Sequence, residues 1–202
     1  TVRHEVEDPY IAYLHREWQR YLDVFPGEVT ISELHLGGGT PTFFSPHNLA
    51  AMLEGLFKSP AVRMPEQPRY SFEGHPNNTT KEHLATLFRH GFRRVSFGVQ
   101  DYNERIQKAI NRIQPYENVE RVTREARETG YNSVGHDLIF GLPFQTRKDI
   151  HLNREKTGRL MPDRIAFYCY AHVPWVKGTG QRGFDESDLP AGDEKREMYE
   201  YG

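Results

Sequence analysis

The sequence predicts an α/β fold, namely a partial parallel (β/α) barrel of about five strand-helix units. Short apolar segments alternate with segments of helical period, and glycine or polar residues follow most of the strands. Strands separated by helices pair in parallel with right-handed crossovers, and in a barrel their carboxyl ends converge on one mouth. Because a complete barrel needs about 250 residues, the 202 residues are expected to form one incomplete barrel domain, residues 1–202.

Composition excludes several classes of function. Lys and Arg number 26 against 28 Asp and Glu, for a net charge of −2, and no basic block stands out. A nucleic-acid partner or an anionic membrane surface therefore has no electrostatic support. The sequence has no apolar run long enough to span a bilayer and no secretory signal, so we expect a cytoplasmic protein.

The predicted elements follow from hydrophobic period and from helix-end signals. In chain order they are a helix at 7–25, a strand ending at 36, a helix after Ser45, a surface connection at 58–68, a strand at 70–73, a helix from Thr79 to Gly91, a strand at 95–99, helices at 104–111 and 117–129, a strand at 133–140, a helix at 150–160, a strand at 164–171, and the opening of a helix at 193–201.

Local signals mark some of these elements closely. Ser45 before Pro46 predicts an N-cap, and Thr79 with Glu82 has the spacing of a capping box. The nearly continuous apolar run at 164–171 predicts a strand buried on both faces. The single cysteine, Cys169, is expected to be a small buried residue of that strand.

A glycine segment at 36–42, Leu-Gly-Gly-Gly-Thr-Pro-Thr, is the predicted ligand-binding loop. Three consecutive glycines after a strand allow the backbone to approach a ligand closely. The carboxyl edge of an α/β sheet is a common place for such a ligand. The alternative is that the glycines only make a tight turn.

Polar residues at the other strand ends are predicted to share that mouth. The set offers two carboxylates, an amide and a guanidinium, and comprises Glu73, Gln100, Arg112, Asp137 and the segment 170–172. Carboxylates accept hydrogen bonds from ammonium or hydroxyl groups, and arginine binds a carboxylate with its two-pronged guanidinium. The set therefore suits an amino-acid nucleoside. Taken singly, each residue could instead be a capping or solvated surface group. The scattered histidines, which include no i, i+4 pair, indicate no metal site.

Six motifs in this order resemble the oxygen-independent coproporphyrinogen III oxidase family of radical S-adenosylmethionine enzymes. The likeness runs from about residue 31 to about 190, and the motifs lie at 37–41, 72–80, 95–101, 111–114, 137–146 and 170–175.

The resemblance implies a fold, a cofactor set and a reaction. It implies a barrel of the radical S-adenosylmethionine type with a four-iron, four-sulfur cluster and an electron donor for that cluster. The implied reaction is the oxidative decarboxylation of two propionates of coproporphyrinogen III to vinyl groups, a step of haem biosynthesis. It implies that the glycine motif holds the methionyl amino group, that Arg112 holds the carboxylate, and that polar side chains hold the ribose. The cofactor-binding positions implied are Gly38, Gly39, Thr40, Glu73, Gln100, Arg112, Asp137 and Ala171. It singles out none of this chain's residues as catalytic.

The sequence departs from the family at the cluster. The family's Cys-x-x-x-Cys-x-x-Cys motif is expected just before Thr1, and this chain has no cysteine there. We therefore expect a piece of a longer oxidoreductase that lacks the cluster motif and the C-terminal region, and that is inactive by itself. The alternative is a haem-trafficking paralogue that binds haem without oxidase activity. The segments 111–114 and 170–175 argue against that alternative.

Overall fold

The fold is described from a computed structural model that covers residues 3–173 and 184–202. These residues contain seven α-helices and seven strands. The helices are α1 (Glu7–Val24), α2 (Pro46–Phe57), α3 (Lys81–Arg89), α4 (Glu104–Ala109), α5 (Tyr116–Thr129), α6 (Arg147–Leu160) and α7 (Gly192–Tyr201). The strands are β1 (Val29–Thr30), β2 (Glu33–Leu36), β3 (Val62–Arg63), β4 (Arg69–Gly74), β5 (Phe92–Gln100), β6 (Ser133–Phe140) and β7 (Arg164–Cys169).

Five of the strands form one sheet in the order β2-β4-β5-β6-β7, as a partial barrel requires. The β2 and β4 strands pair in parallel with Leu36 opposite Phe72, and β6 and β7 pair in parallel with Asp137 opposite Ala166. The order follows the sequence because each helix returns the chain to the next position of the sheet. The predicted α/β class and parallel strand-helix alternation are confirmed.

The chain divides into two compact units, each with its own core. The first contains the residues up to Val95 together with Glu125–Asn132. Its core is aromatic: Tyr70 stacks on Phe57 with ring centroids 5.8 Å apart, and Phe72 meets the edge of Tyr131 at 5.9 Å. The Tyr131 hydroxyl donates to the Leu84 carbonyl at 2.9 Å, so this buried phenol keeps a hydrogen-bond partner.

The second unit contains Ser96–Arg124 and Ser133–Gly202. One of its clusters is built from Val99, Tyr102, Val119 and Leu138. A second cluster joins Phe140, Ile150 and Met198, so the α6 and α7 helices both contribute to it. The helix predicted at 150–160 is present and starts earlier, at Arg147, and the segment predicted to open a helix at 193–201 is α7.

Two local predictions at helix starts have different outcomes. The Ser45 hydroxyl accepts a hydrogen bond from the Asn48 N–H at 3.1 Å, which confirms the N-cap of α2. The capping box predicted from Thr79 and Glu82 is wrong: Thr80 is the N-cap of α3, and His83 is its reciprocal partner. Thr79 instead donates to the Thr42 hydroxyl at 3.2 Å in a buried contact, which the spacing alone does not reveal.

The prediction of a strand at 164–171 buried on both faces is wrong. The β7 strand ends at Cys169, and most of its residues are exposed, with Ile165 at 57% and Tyr168 at 59%. The physical reason is its place at the end of the sheet order, where β6 is its one neighbour among the described strands. Cys169 is accordingly exposed and not the buried residue expected.

The connection predicted at 58–68 also contains a short strand, since β3 pairs in parallel with β1 in a separate two-stranded sheet. None of the helices in residues 3–173 and 184–202 is long and apolar enough to cross a bilayer.

Candidate functional site

The glycine segment lies directly after β2 and lines a cavity in the first unit. The cavity has a volume of about 460 Å³, and its walls include Gly37, Gly38, Gly39, Thr40, Leu14, Leu49 and Met52. Gly38 has a φ of +78°, a left-handed conformation that glycine adopts without strain. An added Cβ at Gly38 or Gly39 would meet no atom within 4 Å, so this stretch of backbone is open to a ligand.

Glu73, at the end of β4, contacts the same segment. The Gly38 N–H donates to Glu73 Oε2 at 3.3 Å, which fixes the loop relative to the carboxylate. An added Cβ at Gly37 would lie 2.5 Å from His35 Nε2 and 2.8 Å from Glu73 Oε1, so these two side chains would have to move to make room for it. With 44% of its side chain exposed, Glu73 keeps the capacity to accept further hydrogen bonds.

His35 is a member of this group that the sequence analysis missed. Its Nδ1 atom lies 2.9 Å from Ser71 Oγ, and its Nε2 atom lies 3.4 Å from Glu73 Oε1. His35 also lines the glycine cavity. Its position in β2, two residues before the first glycine, is the signal that could have identified it, because alternate residues of a strand share a face.

A second group forms in the second unit around Gly98. The Arg112 Nη2 atom donates to the Gly98 carbonyl at 2.9 Å. An added Cβ at Gly98 would lie 2.7 Å from Arg112 Nη2 and 2.8 Å from Gln100 Nε2, so both side chains approach the same face of the glycine. Gln100 itself has a φ of +67°, which is uncommon for a residue other than glycine and recurs at functional sites.

Asp137, on β6, provides the negative charge of this group. Its Oδ1 atom accepts a hydrogen bond from the Ser96 hydroxyl at 2.7 Å. Burial lowers the pKa of the Arg112 guanidinium, and the nearby Asp137 carboxylate acts in the opposite direction. Because the ordinary pKa of arginine lies far above neutral, Arg112 remains a cation that can bind a carboxylate.

Ala171 lies two residues beyond the end of β7. The Tyr170 N–H donates to the Phe140 carbonyl at 2.8 Å, which continues the β6 and β7 pairing by one residue. The Tyr170 and His172 rings flank Ala171 in sequence, and both contact Phe184 with centroids 6.3 and 5.7 Å away. Pro174 and Trp175, the last two residues of the motif at 170–175, lie outside the described residues.

The predicted site residues thus occur as two local groups. Gly38 and Glu73 are in contact, and Gly39 and Thr40 line the adjoining cavity. Gln100 and Arg112 both approach Gly98, with Asp137 close enough to act on the arginine charge. Their convergence on one ligand, and the individual binding roles, stay predictions.

Metal-binding side chains are not clustered in the part of the chain that the structure describes. No group of three or more His, Cys, Asp or Glu side chains there could hold a metal ion. The sequence contains one cysteine, so these 202 residues cannot supply three thiolates to an iron–sulfur cluster.

The parallel α/β sheet and the glycine loop after β2 agree with a match to one family profile. The family profile described as the radical SAM superfamily matches residues 3–154, and the chain belongs to that superfamily.

Two of the similar curated proteins are oxygen-independent coproporphyrinogen III oxidases. The chain is 42% identical to the oxygen-independent coproporphyrinogen III oxidase of Helicobacter pylori strain J99 over 95% of its own length and 41% of the relative. It is 32% identical to the enzyme of the same name from Escherichia coli K12, again over 95% of this chain and 41% of the relative. The chain therefore spans about two fifths of the length of these relatives.

Solved structures show the same fold. The coproporphyrinogen III oxidase of Escherichia coli, described as a radical SAM enzyme, superposes with a TM-score of 0.92 at 31% identity. The match covers 99% of this chain and 45% of that one. An archaeal Elp3 from Methanocaldococcus infernus matches with a TM-score of 0.64 at 19% identity, over 96% of this chain and 49% of that one, and shows the fold alone.

Proposed function

We propose that this chain is the S-adenosylmethionine-binding core of an oxygen-independent coproporphyrinogen III oxidase. The observation that carries the proposal is the glycine-lined cavity beside Glu73. Its open backbone at Gly38 and Gly39 and its adjoining carboxylate fit an ammonium group and polar hydroxyls. The relatives of that name, which match over 95% of the chain, support the choice of enzyme.

Each group of the site has a binding task in this proposal. The Glu73 carboxylate and the glycine backbone receive the methionyl amino group, while the half-buried Arg112 cation binds the methionyl carboxylate as a charge-assisted pair. Gln100, Asp137 and Ala171 take the ribose and the neighbouring parts of the nucleoside. When bound, S-adenosylmethionine supplies the one-electron chemistry by which a propionate side chain loses a hydrogen atom and then carbon dioxide.

The iron–sulfur cluster does not fit this chain, because a single exposed cysteine cannot replace three thiolates. The oxidase activity is therefore proposed for the complete protein, and the 202 residues alone are expected to be inactive. A cytoplasmic location and a separate electron donor for the cluster belong to the same proposal.

The test is anaerobic assembly of the complete protein with iron and sulfide, followed by incubation with S-adenosylmethionine, a reductant and coproporphyrinogen III. We expect protoporphyrinogen IX and two molecules of carbon dioxide per molecule of substrate, measured by chromatography and by release of label from the propionates. No product from a protein with an intact cluster and bound S-adenosylmethionine would refute the oxidase. Tight stoichiometric haem binding in that same preparation would establish the haem-trafficking alternative instead.

A further inference from the structure

Two buried glutamines, Gln107 on α4 and Gln114 in the loop before α5, form a reciprocal pair. The Gln107 Nε2 atom donates to the Gln114 carbonyl at 2.8 Å, and the Gln114 N–H donates back to Gln107 Oε1 at 2.9 Å. The Gln107 amide also donates to the Asp101 carbonyl at 2.9 Å. With exposed fractions of 4% and 1%, both side chains are shielded from water, so these hydrogen bonds face little competition.

The pair encloses the loop that carries Arg112. The Arg112 N–H donates to the Gln107 carbonyl at 2.8 Å. Near the guanidinium of Arg112, Gln114 Nε2 donates to the Gly98 carbonyl at 3.0 Å. The same carbonyl oxygen accepts a hydrogen bond from Arg112 Nη2. Arg112 Nε also lies 3.5 Å from Gln114 Oε1. Gln107 therefore holds the backbone of Arg112. Gln114 and the Gly98 carbonyl together hold its guanidinium.

The chain turns sharply just before Arg112. Asn111, immediately before Arg112, has a φ of +52°. Asparagine is one of the few residues with a side chain that adopts this left-handed conformation readily, so the turn is compatible with the sequence. The reciprocal amide hydrogen bonds join the two ends of the loop around that turn.

We propose that Gln107 and Gln114 are positioning residues that orient Arg112 toward the carboxylate of its ligand. The inference deepens the proposed function and rests on it, since the ligand is taken to be S-adenosylmethionine. A free arginine side chain loses much rotamer freedom on binding, and an arginine held in place beforehand loses less. An amide suits the task because it donates to two carbonyls and accepts an N–H at the same time, which neither a carboxylate nor an aliphatic side chain does.

The test uses the complete, cluster-containing protein and two ligands that differ at one group. S-adenosylmethionine carries the carboxylate, and decarboxylated S-adenosylmethionine lacks it. Dissociation constants for both are measured by equilibrium dialysis with the wild type, Gln107→Met, Arg112→Ala and the double variant. Ile150→Val serves as the control, because Ile150 is buried in the same unit but belongs to the cluster with Phe140 and Met198.

We expect Gln107→Met to weaken S-adenosylmethionine binding by about tenfold, as a loss near 1.4 kcal/mol implies, and to leave binding of the decarboxylated ligand within about twofold. In the Arg112→Ala background the Gln107 substitution should add little, because the two residues act as one unit. Ile150→Val should change neither ligand.

Two results would overturn the inference: unchanged S-adenosylmethionine binding by Gln107→Met, or an equal loss for both ligands. If Gln107→Met does not fold, Gln107→Glu keeps the shape of the side chain while removing at least one of its two N–H donors, and the same pattern is required of it. A wild type that binds neither ligand would instead refute the proposed function, so the two failures are distinguishable.

Discussion

Asp101 provides a prediction in which stability and pH are linked through one buried carboxyl group. The side chain is fully buried and accepts hydrogen bonds from the Asn103 N–H at 2.6 Å and from the amides of Gln145 and Asn153, both at 2.7 Å. Burial raises its pKa from 3.8 to about 6, the hydrogen bonds oppose that rise, and the charge of Asp149 adds to it. The folded state thus holds its proton more tightly than the unfolded state does.

The sign of the pH dependence follows from this difference. A raised carboxyl pKa means that its favourable contribution is fully present below pH 3.8 and is lost as the pH rises through about 6. A difference of about 2 pKa units corresponds to about 3 kcal/mol, most of which, about 2 kcal/mol, is lost between pH 4 and pH 7. Other groups of the protein add their own dependence, so a reference variant is needed.

Asp101→Asn is that reference, because it removes the titrating proton at constant shape. Its amide nitrogen faces donors where a carboxylate oxygen stood, so one buried group loses its partner at a cost of about 1–3 kcal/mol at all pH values. Urea unfolding of both proteins at intervals from pH 4 to pH 8 gives the difference in free energy of unfolding at each pH. We expect the wild type to lose about 2 kcal/mol relative to Asp101→Asn between pH 4 and pH 7. Parallel pH profiles would refute the raised pKa.

Three further predictions concern the site and one helix start. Gly38→Val should abolish S-adenosylmethionine binding in an equilibrium measurement, since a β-branched residue at a φ of +78° is strained and blocks the open backbone; binding equal to the wild type would contradict the role of this loop. Arg112→Ala should weaken the same binding by about 1.5–3 kcal/mol, the loss of one charge-assisted hydrogen bond, and an unchanged dissociation constant would exclude the carboxylate contact. Thr80→Ala should lower the free energy of unfolding by about 0.5–2 kcal/mol because α3 loses its N-cap; urea unfolding checks this, with Glu82→Ala expected to cost less.

The outcome at α3 shows where sequence patterns stop being sufficient. Thr79 and Thr80 are both good N-cap residues, and the spacing of Thr79 to Glu82 satisfies the capping-box pattern. A contact outside the helix distinguishes the two threonines. Thr79 donates a hydrogen bond to the buried Thr42 hydroxyl, and Thr80 is the N-cap of the helix. Thr42 is 37 residues away in sequence, so no local window contains the contact.

The site shows the same division between local and distant information. The loop from Gly37 to Gly39 and its neighbour Glu73 were recognisable because glycine runs and carboxylates at strand ends carry their own chemical signal. The Gln107 and Gln114 pair was not, because a glutamine in a polar helix or loop is normally solvated. Burial in the folded chain is what converts these two amides into obligatory hydrogen-bonding groups.

The sequence by itself determined the α/β class, the order of the helices and of the five strands of the main sheet, and, through six motifs, the membership of the radical SAM superfamily, because hydrophobic period, glycine placement and motifs are local properties of the chain. Only the tertiary structure decided that β7 is exposed and that Cys169 lies on the surface, since exposure depends on which strands are neighbours in the sheet. It also decided that Gln100 and Arg112 both approach Gly98. That arrangement requires β5 and the loop after α4 to be fixed together, and long-range hydrogen bonds, not sequence spacing, fix them.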